Sequence, residues 1–329
     1  MSAGRPLCAV AVDLGGTNVR VAAVDSSGNI LARRRTPTPR HEPTPGFLVN
    51  LIAEVAAEVS HRPDDAGGTD GIEVDHVVVG LPGVVDQLNE RLVTGVNLPR
   101  QWVPLINEDW LADQIGLEVS LANDADLAAV GESELGAGRN HRDVVYVTIS
   151  TGVGAGMVVD GRLVQGSLSG GELGHTIIDW PAAERGEPAT VEDLGSGTAI
   201  ERQAAASGMT VRGAELAAAV RRCEEPARSI WNRAITAVGV GVANMAWILS
   251  PQIVIIGGGV GSNADIVLPI LREQLRRHGP TSGPEIDLAA AELGDDSALI
   301  GAAAWWDAIG RSAAVEPPPG PDGETTGDA

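Results

Sequence analysis

Lysine is missing: all 23 basic residues in this 329-residue chain are arginine. That excludes every mechanism that turns on a lysine, among them Walker P-loops, Schiff-base chemistry and the ATP lysine of protein kinases. Phosphoryl transfer that relies on Mg2+ and backbone N–H groups stays open. Cysteine is nearly absent too. Cys8 and Cys223 cannot by themselves make a disulfide framework or a zinc site. No apolar run is long enough to span a bilayer. The apolar stretch near the N-terminus is interrupted by an acid and two glycines, so it reads as a strand and not as a signal peptide. A soluble, cytoplasmic protein is the expectation. Positive charge is short overall: the formal net charge is −21. This argues against nucleic acid and anionic membrane as partners, and any anionic substrate would need local positive potential or a metal. The length suits two domains.

What is present centres on residues 8–31, CAVAVDLGGTNVRVAAVDSSGNIL. Cys8–Leu14, Val19–Val24 and Ile30–Thr36 read as strands separated by a glycine turn and a tight turn. Asp13 is thus delivered straight into Gly15–Gly16–Thr17. Two glycines let the backbone pass close to a ligand and present its N–H groups as an anion nest. A carboxylate beside that nest would repel bare phosphate, and a metal ion between them resolves the conflict. The competing reading is a plain hairpin. The same pattern returns about 135 residues later, where Asp143–Ser150, the glycine turn Thr151–Gly156 and Met157–Val159 suggest two related α/β halves.

Between and beyond these, helical spacing marks Phe47–Val59, and Pro104–Ile115 reads as one helix with proline at its start. Val74–Leu81 and Glu118–Ala122 read as strands, and Asn123 as the cap of a helix running to Leu135. Glu172–Asp179 is expected extended, Trp180–Ala189 irregular, and Thr190–Ala206, Ala214–Cys223, Ala227–Leu249, Ala264–Arg277 and Ala298–Gly310 helical. Strands are expected at Pro251–Ile256 and Ile286–Ala290, and an acidic, Pro/Gly-rich disordered tail after residue 311.

Asp124 is the best-placed general base: it follows a strand and opens a helix, whose N-terminus favours a carboxylate. The plainer reading makes Asp124 and Asp126 helix-start acids only. Glu172 and His175, in GGELGH, converge if that segment turns and diverge if it is a strand. Gly257–Gly259 follows a strand but is no dinucleotide fingerprint, because the third glycine would fall at Ser262.

Together, DLGGTNVR (13–20), LPGVVD (81–86), NLP (97–99), NDAD (123–126), STGVGAG (150–156), VDGRLVQG (159–166), GELGH (171–175) and VIIGGGV (254–260) resemble the ROK family of sugar kinases and repressors. The resemblance implies a two-domain, actin-like ATPase (ribonuclease H-like) α/β fold with a cleft between domains: a small domain of 1–122 plus 297–311 and a large one of 123–296. It implies that Asp13, Gly15, Gly16 and Thr17 face Mg2+-bound phosphates. Thr151, Gly152 and Gly154 would form a second phosphate turn, and Gly257, Gly258 and Gly259 would lie beside the adenosine of ATP. Asn97, Asn123, Asp124, Glu172, His175 and Glu192 would hold the sugar, with Asp124 as base. A homodimer or homotetramer is expected. One departure matters. Most members carry C-x-C-G-x-x-G-C-x-E after GELGH and bind zinc with those cysteines and the GELGH histidine. Here Ala183, Arg185 and Thr190 replace the cysteines, so no zinc is expected. Glucose is the expected acceptor, with N-acetylmannosamine, N-acetylglucosamine, mannose and fructose as alternatives. Polyphosphate is the alternative donor. A repressor is disfavoured because only twelve residues precede Asp13.

Overall fold

A computed structural model describes residues 7–61, 71–210 and 212–313. Two five-stranded sheets carry the fold. In chain order, the first unit contains β1 (Leu7–Leu14), β2 (Asn18–Asp25), β3 (Ile30–Pro37), α1 (Phe47–Ser60), β4 (Glu73–Leu81), a hairpin of β5 (Gly83–Asp86) and β6 (Arg91–Gly95), α2 (Glu108–Ile115) and β7 (Glu118–Asn123). After α3 (Asp124–Glu134) come β8 (Val144–Ile149), β9 (Val153–Val159) and β10 (Arg162–Leu163). Helices α4 (Trp180–Glu184), α5 (Val191–Gly195), α6 (Gly197–Ala206), α7 (Gly213–Arg221) and α8 (Ala227–Leu249) precede β11 (Ile253–Gly257). The chain ends with α9 (Gly258–Gly261), α10 (Ala264–His278), β12 (Asp287–Ala290) and α11 (Ser297–Ala313).

The two sheets have the same order, β3-β2-β1-β4-β7 and β10-β9-β8-β11-β12. In each, the first three strands run antiparallel and the rest join in parallel. The repeat legible in the sequence is therefore a repeat of topology.

Strand alternation explains the layers. On β1, Val10 and Val12 pack with Leu48 and Ile52 of α1, while Ala11 faces the other way. On β11, Val254 and Ile256 join Ile235 and Val238 of α8, while Ile253 and Ile255 face the other way. Both inner faces meet in one core with Leu127 of α3 and Leu299 and Trp305 of α11. The result is five layers, with α3 and α11 between the sheets. Side chains that alternate in a strand fill two cores at once, and the carboxyl ends of the parallel strands of both sheets flank the same helix N-terminus.

Five local expectations are corrected. Pro104 opens only a 3-10 turn (Val103–Leu105). The helix starts at Glu108, because Asn107 caps it by accepting from the Trp110 N–H at 2.8 Å. Thr190–Ala206 is two helices, since Ser196 turns extended and caps the second through Ala199 N–H. Leu173–His175 is a 3-10 turn instead of a strand, and Trp180–Glu184 is helical behind an Asp179 cap. The second glycine turn is shorter than expected: Gly154 and Gly156 lie inside β9, with Gly154 opposite Thr148. The acidic tail from residue 314 on and most of the 61–71 loop fall outside the described residues. Residues 312 and 313 continue α11.

Candidate active site

Asp13 stands at the end of β1 and lines a cavity of about 190 Å3. Arg20, its cross-strand partner, donates Nε to Asp13 Oδ2 at 2.7 Å and Nη1 to the Asp295 carbonyl at 2.6 Å. That guanidinium ties the first strand to the segment leading into α11. The turn itself is closed by Gly15 N–H on the Asn18 carbonyl and by Thr38 Oγ1 on the Gly15 carbonyl at 2.6 Å. Thr17 is exposed. Gly16 abuts the NLP loop: a Cβ there would lie 2.5 Å from Asn97 Cβ. Asn97 adopts φ +61° to make that approach. The DLGGT turn and Asn97 are thus brought together.

Asp124 enters the same cavity from the opposite side, on the first turn of α3. Asn123 caps that helix by accepting from Ala125 and Asp126 N–H, and its amide donates to the Gly83 carbonyl at 2.9 Å. Both ends of the Asn123 side chain are therefore spent on placing its neighbour and the 81–86 loop. Burial, then the charge of Asp13, then that of Glu172 raise the Asp124 carboxyl to about 7, against the pull of two backbone N–H groups. A base with that value is half-ionised at neutral pH and poised to accept a proton. Asp126 lies beneath, fully buried, with both carboxylate oxygens unpartnered. Burial and its acidic neighbours Asp124 and Glu172 raise its pKa well above the usual range.

Glu172, His175 and Glu192 gather on one side. The 3-10 turn brings His175 Nε2 within 3.7 Å of Glu172 Oε2, so the convergent alternative is the one found. Burial raises the Glu172 pKa, His175 lowers it and Glu192 raises it. Glu192 Oε2 accepts from Val153 N–H at 2.9 Å and sits against Gly152. It braces the second turn. Thr151 is exposed there, and its carbonyl accepts from Thr198 Oγ1 at 2.7 Å.

Gly257–Gly259 closes the far wall. Gly258 needs φ +83° to turn from β11 into α9, a conformation that disfavours any side chain. Gly259 lines the first cavity and a second one of about 460 Å3 that adjoins it through Ser150. Ile200, Leu216, Trp231 and Val260 give the second cavity apolar walls, and Thr198 and Asn263 give it polar edges. The sequence reading missed this slot, whose walls come from four separate elements. It also passed over Arg20, although it is the last letter of the quoted DLGGTNVR. Among the described residues lining the two cavities it is the one cation.

A family model described as "ROK family" matches residues 9–309. The chain belongs to the ROK family. Its relatives include the glucokinase of Thermotoga maritima, 33% identical over 89% of this chain and 95% of that one. They also include an N-acetylmannosamine kinase of Yersinia pestis, 28% identical over 90% of this chain and 97% of the relative. Among solved structures, a ROK family glucokinase from Streptomyces griseus in complex with glucose and AMPPNP is 28% identical, with TM-score 0.72, covering 91% of this chain and 98% of that one. The actin-like ATPase fold follows from such neighbours.

The residues that replace the ROK zinc cysteines do not fit a zinc ion. Among the described residues no cluster of three or more His, Cys, Asp or Glu side chains is arranged to hold a metal. The loop is fastened otherwise. Thr190, at a former cysteine position, forms a capping box with Asp193, and Asp179 caps α4. Backbone bonds join Ile178 to Ala189 and Val191 to Thr176.

Proposed function

We propose that this ROK protein is an ATP-dependent hexose kinase that phosphorylates the 6-hydroxyl of glucose, with Asp124 as general base. One observation carries the reading: a desolvated carboxylate with a pKa of about 7, held at a helix N-terminus across a cavity from Asp13. Asp124 takes the hydroxyl proton as the sugar oxygen attacks the γ-phosphorus. The bond from that phosphorus to the ADP oxygen breaks, and the proton leaves Asp124 for solvent after product departs. Glu172, His175, Glu192 and Asn97 hold sugar hydroxyls, and Asn123 sets the position of Asp124.

The apolar slot beside Gly259 suits a nucleoside base, a feature polyphosphate has no use for. Arg20 as the one cation among the described residues lining the two cavities also suits the shorter anion. Asp13 fits Mg2+, which is commonly held by one or two carboxylates plus substrate phosphates and needs no all-protein cage. When bound, it would neutralise charge on the transferring phosphoryl group. Arg20 fixes the Asp13 carboxylate, and the turns 15–17 and 150–152 cradle the phosphates, with Gly154 supporting the second from within β9. Closure of the unit 1–122 with 297–311 on 123–296 excludes water from the transfer.

Relatives that act as glucokinases favour glucose, and the N-acetylmannosamine kinase makes that sugar the second candidate. The test is product formation across glucose, N-acetylmannosamine, N-acetylglucosamine, mannose and fructose, each with ATP and with polyphosphate. Glucose with ATP should give the highest kcat/KM. Another sugar in first place removes glucose, and no phosphorylation with either donor removes the kinase.

A further inference from the structure

We propose that Glu132 is a positioning residue for phosphoryl transfer: it fastens the helix that carries Asp124 to the strap 292–297, and the strap holds Arg20 and, through it, Asp13. The inference rests on the kinase reading above and adds to it a residue that touches neither sugar nor phosphate.

Glu132 lies on α3 just over two turns beyond Asp124, about 12 Å along the helix axis. Its side chain is fully buried, a place glutamate takes only when its oxygens are matched. Here backbone matches them. Oε2 accepts from Ala137 N–H at 3.0 Å and Glu292 N–H at 3.1 Å, and Oε1 accepts from Leu293 N–H at 2.9 Å. The buried Ser297 hydroxyl lies 2.8 Å from Oε1 and 2.8 Å from the Gly294 carbonyl, with one proton to share between them. Ala137 belongs to the turn that follows α3. Glu292, Leu293 and Ser297 belong to the strap between β12 and α11, some 160 residues on. Each oxygen thus faces at least one N–H, so only a carboxylate, which offers acceptors alone, satisfies the set. A glutamine there would turn its NH2 toward an N–H whichever way it sat.

The other side of the strap grips the first sheet. The Asp295 carbonyl accepts from Arg20 Nη1 at 2.6 Å, and Arg33 pairs with the Asp296 carboxylate at 2.6 Å. Arg20 then bonds Asp13 Oδ2 through Nε at 2.7 Å. Gly294, Asp295 and Ser297 line the same cavity as Asp13 and Asp124. A continuous chain therefore runs behind the cavity, from the base along α3 to Glu132, across the strap to Arg20, and on to Asp13. The crossing of α3 and α11 beside it is tight: a Cβ on Gly131 would strike the Ser297 carbonyl, and one on Gly301 the Leu127 carbonyl. This chain sets how far apart the two carboxylates of the transfer stand. A misplacement of about 1 Å costs on the order of a hundredfold in rate. The groups assigned to the sugar, Asn97, Glu172, His175 and Glu192, hang on other elements, so loosening Glu132 should slow the transfer and spare glucose binding.

The test compares wild type, Glu132→Gln, Ser297→Ala, Arg20→Met and the double variant Glu132→Gln/Arg20→Met, each full chain assayed well below its urea or thermal midpoint. The readouts are kcat with Mg·ATP and saturating glucose, and glucose affinity by calorimetry. Glu132→Gln should lower kcat at least fivefold, and Ser297→Ala at least threefold, with glucose affinity within threefold of wild type in both. Because Glu132 acts through Arg20, the double variant should be no more than threefold slower than Arg20→Met alone; independent action would multiply the two losses. Should Glu132→Gln not fold, Ser297→Ala and its own double with Arg20→Met decide by the same comparison. A merely structural clamp would lower the midpoint and leave kcat of the folded enzyme unchanged, which overturns the proposal. Multiplying losses in the double variant, or a fall in glucose affinity as large as that in kcat, overturns it equally. Wild type that phosphorylates no hexose removes the kinase reading and this proposal with it, whereas an active wild type with unaffected variants removes this proposal alone.

Discussion

At pH 8 the folded chain carries Asp124 as a carboxylate that burial, Asp13 and Glu172 all disfavour. Moving that carboxyl from 3.8 to about 7 makes it, at about 1.4 kcal/mol per pH unit, about 4 kcal/mol harder to ionise in the folded state than in the unfolded chain. The sign follows from proton counting. Between those two values the folded state binds more protons than the unfolded one, so stability falls as pH rises through the window. Asp124→Asn keeps the shape and removes the charge. It should therefore stabilise the fold at pH 8 by up to about 4 kcal/mol, and at pH 5 by under about 2 kcal/mol, while losing turnover. Urea unfolding of wild type and variant at the two pH values measures this. A variant that is no more stable than wild type at pH 8, or whose gain is the same at both pH values, would refute the view that the base is held at an electrostatic cost.

Arg20→Met removes the bridge between Asp13 and the Asp295 carbonyl. It should lower kcat on the order of a hundredfold while leaving sugar affinity, measured by calorimetry, within a few-fold. Gly16→Ala places a methyl 2.5 Å from Asn97 Cβ. Overpacking there should cost about 1–3 kcal/mol in a urea titration and raise the sugar KM. Thr190→Ala deletes the capping hydroxyl that replaces a zinc cysteine. A loss of about 1 kcal/mol is expected, with the effect on KM larger than on kcat, because Glu192 follows two residues later and braces the second turn. A zinc chelator in Mg2+-replete buffer should leave the rate unchanged, and activity lost to the chelator and restored by zinc would contradict the capping-box account.

Much of the frame was legible because it is local. The strands around the DLGGT turn, the helix Ala227–Leu249 and the Asn123 cap are set by alternation, periodicity and a single side-chain bond. Pro104 misled because proline also suits a 3-10 turn, and the Asn107 cap that starts α2 competes only through its own local bond. Thr190–Ala206 misled because its periodicity continues across Ser196 while the backbone does not. The site divides the same way. Asp124 was readable from its place after a strand. The bond from Arg20 to the Asp295 carbonyl, the orphaned Asp126 and the slot around Trp231 depend on residues far apart in sequence, which no spacing rule brings together. Glu192 was expected to touch sugar; what the folded chain shows is its bond to Val153 N–H, a contact 39 residues away that the sequence does not reveal.

The most direct measurement is a rapid-quench single turnover. Wild type and Asp124→Asn, each saturated with glucose as verified by calorimetry, are mixed with Mg·ATP labelled at the γ-phosphate, and labelled hexose phosphate is counted. The account predicts a full turnover by wild type, slowing as pH falls below about 7, and a rate at least a hundredfold lower for the variant with glucose still bound. Transfer by the variant near the wild-type rate would contradict it.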